Sequence, residues 1–202
     1  MSWEATMELW DHRRRVAELY RRVREGGPGE ATWRSWRRDR DHLFAHHPQS
    51  ALSPERRAAF TSLPYFPYDQ AWRFEAEVEP LPQQPDLLAH SGQGRTLFRR
   101  FGRVRLEMAG APVSLVLSWL DTYGGGVFLP FRDATNGQTT YGGGRYLLDT
   151  AKGADLGHNG DRVVLDFNYA YHPSCAYDPR WSCPLASQDN RTTMAVAAGE
   201  RL

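Results

Sequence analysis

Apolar positions recur with two different periods along this chain, and the change falls near Pro64. From Trp3 to Glu25 there is neither proline nor glycine, and Leu9, Val16, Tyr20 and Val23 are spaced by seven, four and three. Those intervals put side chains on one face of a helix. Gly26-Gly27-Pro28-Gly29 ends the run. Thr32 is placed to cap a second helix that carries Trp33, Trp36, Leu43 and Phe44 and stops before Pro48, and Ser53-Pro54-Glu55 has the serine cap and first-turn proline of a third start. Beyond Pro64, Trp72, Phe74, Ala76 and Val78 alternate with Arg73, Glu75, Glu77 and Glu79, the two-residue repeat of a half-buried strand. Further strands are predicted at Thr96 to Phe101, Val104 to Met108, Val113 to Leu120, Val127 to Phe131, Arg162 to Phe167 and Thr192 to Ala198, with turns at Gly110 to Pro112 and at Asn136-Gly137.

The fold class that follows is α+β, mainly β. Residues 1–63 form an N-terminal helical segment, and residues 64–202 form an antiparallel β-barrel or strongly curved sheet on which the helices pack, as a single structural unit. The pattern Thr-Tyr-Gly-Gly-Gly-x-aromatic-Leu occurs twice, at Thr122 to Leu129 and at Thr140 to Leu147. Glycine triplets do not strengthen a strand, so they read either as places where the sheet bends or as loops flanking a hairpin.

Composition narrows the function classes. Against 25 basic residues stand 24 acidic ones, a net charge of +1 that offers no global field for nucleic acid or an anionic membrane. Arg34, Arg37, Arg38 and Arg40 lie among Trp33 and Trp36, but acids interrupt the run, and an amphipathic helix is the expectation. No secretory leader is evident at the start and no apolar run of spanning length follows, so a soluble, cytoplasmic protein is expected, with its two cysteines as thiols.

Arg145 follows the second glycine triplet, where a guanidinium beside exposed backbone N–H groups suits an anion; equally, it can pair internally with Asp133 or Asp166. Asp166 and Asn168 share a face by strand alternation, lining a wet pocket or knitting the loop that follows. His172, Cys175 and Cys183 resemble part of a zinc set but lack a fourth ligand, and no metal is predicted. Asp39, His42 and His46 fall on one helix face and read as a solvated helix end.

The order and spacing of Pro130-Phe131-Arg132-Asp133-Ala134-Thr135-Asn136-Gly137, Thr140 to Leu147, Asp166-Phe167-Asn168-Tyr169-Ala170-Tyr171-His172-Pro173-Ser174-Cys175-Ala176-Tyr177, Cys183-Pro184-Leu185, Asn190-Arg191 and Ala198-Gly199-Glu200 resemble domain of unknown function family 1684. The resemblance runs over nearly the whole chain and implies no established activity. His172 stands where the family pattern more often has asparagine, and the first glycine triplet lies outside that pattern.

The expected function is binding of a small anionic or polar ligand near the GGGRY and DFNYAY segments, with Tyr141, Arg145, Asp133, Asn168 and Tyr171 as ligand-binding residues. An enzyme of hydrolase or isomerase type using the same pocket is the alternative, with Asp166, Cys175 or His172 as catalytic candidates. A third class is a helix-mediated interaction module, for example a homodimer. No cofactor is read from the residues themselves; a flavin enters by fold analogy alone.

Overall fold

The computed structural model describes residues 2–202. Helix α1, Trp3–Gly26, is capped by the Ser2 side chain, which accepts from the Ala5 N–H at 3.2 Å. Its buried residues are Leu19, Tyr20 and Val23, so the C-terminal half of the expected face is the one that docks. Helix α2, Glu30–His46, starts three residues earlier than a Thr32 cap would place it, behind Gly29. The Thr32 hydroxyl instead donates to the Gly26 carbonyl at 3.1 Å and ties the α1–α2 turn. Helix α3, Pro54–Ala58, has the expected cap, with Ser53 Oγ accepting from the Arg56 N–H at 3.3 Å.

All strand pairings within the sheets are antiparallel. Strands β1 (Arg73–Glu77), β8 (Arg162–Asp166) and β7 (His158–Asn159) form one sheet in that order. The other runs β2 (Glu79–Ala89), β3 (Arg95–Met108), β4 (Ala111–Leu120), β5 (Val127–Phe131) and β6 (Arg145–Asp149). The protein is therefore α+β and mainly β, with N-terminal helices on antiparallel sheets; no closed barrel is found among the described residues. The large sheet is bent at three register shifts, between Pro80 and Gln84, Arg100 and Gly102, and Leu129 and Pro130.

Several strand expectations are corrected by this topology. Thr96–Phe101 and Val104–Met108 are one strand, β3, interrupted only by its bulge. Gly102 is required there, since a Cβ would lie 2.4 Å from Val78 Cγ1 where the chain from β1 crosses. Strand β2 was not anticipated because Pro80, Pro82 and Pro85 remove ladder donors; as an edge strand it needs donors on one side only. The β3–β4 loop is Ala109-Gly110, both at positive φ, and Pro112 already belongs to β4. Thr192–Ala198 is not a strand but an extended tail beside residues 132–134, held by the Thr192 N–H to Arg132 O bond at 2.9 Å and the Ala134 N–H to Met194 O bond at 3.0 Å.

The two glycine triplets are not equivalent. Gly124, Gly125 and Gly126 all take positive φ in the β4–β5 loop, whereas in the second copy only Gly144 does, on entry to β6. One hydrophobic cluster runs from α1 and α2 through both sheets, joining Leu19, Tyr20, Trp33 and Trp36 to Tyr65, Leu165 and Tyr169. A smaller one, Leu88, Phe98, Phe128 and Tyr146, lies on the large sheet, with Phe98 and Phe128 stacked at 4.8 Å.

Candidate functional site

Arg145 opens β6 with its side chain completely buried. Its Nη2 donates to Asp133 Oδ2 at 2.9 Å and to Val196 O at 2.8 Å, and its Nη1 donates to the Ala198 carbonyl. Asp133 Oδ1 accepts from the Thr135 N–H at 2.9 Å and Thr135 Oγ1 at 2.6 Å. The internal pairing is thus realised, and it fastens the C-terminal tail to the sheet. Burial draws the Arg145 pKa down, against the pull of Asp133.

Asn168 and Asp166 act on the loop after β8. Asn168 Nδ2 donates to Asp69 O and to Asp166 Oδ1, both at 2.8 Å, and its Oδ1 accepts from the Asp69 N–H at 3.0 Å. Burial pushes the Asp166 carboxyl up, opposed by its bonds from Asn168. Arg145, Asp133 and Asn168 are therefore enclosed, whereas Tyr171 and His172 border open space.

That space is a cavity of about 340 Å³ between α1, α2, the end of β6 and the loop from Tyr171 to Cys183. Leu9, Val16, Leu19, Leu43 and Phe44 supply apolar wall. Tyr20, Trp36, Tyr171 and Asp149 also line it, with Arg13 and with Lys152, whose ammonium pairs with Asp149 Oδ2 at 3.2 Å. Trp36 is 1% exposed, and its Nε1–H makes no hydrogen bond among the described residues. Burial pushes the Tyr20 hydroxyl's pKa up, against Arg40 and then the neighbouring Trp36 indole.

Beneath the cavity lies a buried charge network that sequence reading missed. Glu200 Oε2 takes Arg40 Nη2 at 2.9 Å and the His172 backbone N–H at 3.0 Å, while Oε1 accepts from the Tyr177 hydroxyl. Arg40 Nη1 donates to Tyr65 Oη at 2.6 Å. Burial pushes the Glu200 carboxyl up, against Arg40. Burial, the largest influence, disfavours the Arg40 cation, but Glu200, Tyr65 and Tyr20 together outweigh it and the guanidinium is pushed up. The only signal in the sequence was an arginine on the apolar side of α2.

The His172 ring is held neutral. Its Nε2 accepts from the Tyr141 N–H at 3.1 Å, so the proton sits on Nδ1, 3.6 Å from Glu200 Oε1. Burial, then the charges of Arg145 and Arg40, take the pKa down from 6.5 to about 3. Between those values the unfolded chain binds a proton that the folded chain refuses, so stability falls as pH drops through this window, by about 2 kcal/mol at pH 5. His172→Asn, which keeps a side-chain acceptor, is expected to reduce the loss of urea midpoint between pH 7 and pH 5. The slope does not vanish, because burial and His47 also take His12 down to about 4. An unchanged pH dependence would contradict the buried neutral ring.

Cys175 and Cys183 are free and half-buried, and the Cys183 N–H donates to Ser91 Oγ at 3.2 Å. The remaining sequence candidates lie elsewhere. Asp39 pairs with Arg22 at 3.1 Å and His42 stacks on His46, and among the described residues no group of three or more His, Cys, Asp or Glu side chains is arranged to hold a metal. Of the basic stretch, Arg37 lies over the Trp33 and Tyr65 rings and Arg34 pairs with Glu30.

Fold and site define a mainly-β α+β protein whose helices close a cavity against one end of an antiparallel sheet. Residues 58–201 match DUF1684, a family described as protein of unknown function, and the chain belongs to that family. The solution NMR structure of an uncharacterized protein from Haloarcula marismortui is similar, with 34% identity, 85% of this chain and 93% of that chain covered, and a TM-score of 0.62. Among curated proteins none matches. No helix among the described residues is long and apolar enough to cross a membrane.

Proposed function

We propose that the protein binds a small ligand with a flat apolar body and an anionic group in the cavity between α1, α2 and the Tyr171–Cys183 loop. The observation that carries this reading is the cavity itself, walled by the apolar side chains of Leu9, Val16, Leu19 and Leu43 and by the aromatic residues Tyr20, Trp36, Phe44 and Tyr171. The volume of about 340 Å³ falls in the range of small-molecule sites. Arg13 among the lining residues favours an anion there, Lys152 being paired with Asp149 at 3.2 Å. Tyr171 is the ligand contact retained from the sequence reading; Arg145, Asp133 and Asn168 support the walls, and the Tyr141 N–H holds the His172 ring. The bulged large sheet serves as a partial barrel wall that brings Tyr146 and Asp149 to the cavity.

The aromatic sulfonate 8-anilinonaphthalene-1-sulfonate has this chemistry and reports binding by fluorescence. Saturable binding to the full chain is expected, with affinity weakened by about tenfold or more in Val16→Trp, which fills the cavity. Far-ultraviolet circular dichroism and the melting curve verify that the variant folds. Undiminished affinity in a folded Val16→Trp protein would sink the reading.

A helix-mediated interaction draws on a different observation. Trp3 and Trp10, 73% and 63% exposed, lie with Met7 along one face of α1 that the fold leaves uncovered. Light scattering of the truncated chain described below addresses it.

A further inference from the structure

We propose that a second cavity, on the outer face of the small sheet, binds a small organic cation whose N–H donors are taken by the carboxylate of Asp166.

Strand register builds the floor of this site. β1 and β8 pair with Arg73 opposite Asp166 and Glu75 opposite Val164, so these four alternate positions share one face of the sheet. Phe74 and Leu165, on the opposite face, join the main hydrophobic cluster. The C-terminal end of α1, the turn at Gly27 and Pro28, and residues 155–159 complete a space of about 460 Å³, within the range of small-molecule sites. Val23, Leu156, Val164 and Tyr169 line it as apolar and aromatic residues.

The charges on the lining pair off and leave one over. Arg73 Nη2 donates to Glu75 Oε1 at 2.6 Å, and Glu75 Oε2 accepts from Asn159 Nδ2 at 3.0 Å. Arg24 Nη1 donates to Asp155 O at 2.6 Å and lies 3.7 Å from Asp155 Oδ2. His158 Nδ1 donates to the Gly160 carbonyl at 3.0 Å. Asp166 remains, 3% exposed and opposite an arginine that is turned toward another acid. Its Oδ1 accepts from the Asn168 N–H at 3.0 Å and from Asn168 Nδ2 at 2.8 Å. Its Oδ2 accepts no hydrogen bond, and no arginine or lysine pairs with the carboxylate among the described residues.

A buried carboxylate without a counter-charge is costly. Burial accordingly pushes its pKa up, against Asn168 and then Arg73, so a bound cation and the ionised Asp166 stabilise each other. One unpaired carboxylate is too few oxygen donors for a divalent metal ion, which takes about six. A single N–H-bearing cation makes a charge-assisted bond to it, and the apolar lining accepts the body that carries the charge. The ligand class is therefore an amine, amidine or guanidine on an apolar frame. This cavity and the one between α1 and α2 share no lining residue, so the two readings stand or fall separately.

Benzamidine, an amidinium on a flat apolar ring, is the probe, and uncharged benzamide is its control. Isothermal titration of the full chain is expected to show saturable binding of benzamidine, with benzamide at least about tenfold weaker. Asp166→Asn keeps an oxygen for the Asn168 donors but loses the charge, and should weaken benzamidine by about tenfold or more. Val164→Phe fills the space, leaves the carboxylate in place and should do the same. Circular dichroism and the melting curve verify folding; if Asp166→Asn does not fold, Val164→Phe and the benzamide comparison decide. Val16→Trp, which fills the other cavity, should bind benzamidine as the parent does. Absence of saturable binding, equal affinity for benzamide, undiminished affinity in either folded variant, or loss of binding in a folded Val16→Trp protein would each overturn the proposal.

Discussion

Deleting residues 1–29 is expected to cost about 5–8 kcal/mol of folding stability, at roughly 2 kcal/mol for each large apolar side chain returned to water. The side chains are Leu19, Tyr20 and Val23, all buried in the cluster that also holds Trp36 and Leu43. Helix α1 is seated closely: a Cβ on Gly153 would lie 2.8 Å from the Ala17 nitrogen, and Arg24 Nη1 donates to Asp155 O at 2.6 Å. A loss of that size is comparable with the whole stability of an ordinary domain. The melting temperature should fall by more than about 10 °C, and the cavity should lose the wall made by Leu9, Val16 and Tyr20. An unchanged melting curve would make α1 an independent arm. If light scattering also showed that truncation abolishes a dimer, weight would move to the interaction reading.

Arg145→Met should destabilise the protein by about 3–5 kcal/mol, the cost of stranding one partner of a buried ion pair. Neither Arg145 nor Asp133 has side-chain exposure, and removal of the guanidinium also leaves the Val196 and Ala198 carbonyls without their donor. Arg145→Lys is expected to recover little, because one ammonium cannot present the planar fork that reaches the carboxylate and two carbonyls together. Adding Asp133→Asn to Arg145→Met should regain part of the loss, since the buried charge is then gone. Urea unfolding of the three variants measures this. A midpoint within experimental error of the parent for Arg145→Met would show that the pair is not enclosed.

Much of the architecture was readable one segment at a time. The two-residue alternation marked β1, and helical spacing marked α1 and α2, because each depends only on local backbone period and on one side of the element being buried. Arg145 between glycines and an apolar run already pointed to a charge taken indoors, with Asp133 as a named partner.

Other features have no local signature. The prolines of β2 read as loop because the number of ladder donors a strand needs depends on whether it has one neighbour or two. Thr192–Ala198 has strand-like composition, yet its backbone partners are single bonds to residues 132–134, since no strand edge is presented along its length. Arg40 and Glu200 meet only because α2 and the C-terminal segment are both fixed against Tyr65 and Ala170, at opposite ends of the chain. The cavity exists only because α1 lies across the end of the sheet. Sequence period by itself determined which elements form and which face each buries. Tertiary structure decided which buried charges pair and where space remains between the elements, because both depend on the registry of surfaces distant in the chain, to which local propensity is blind.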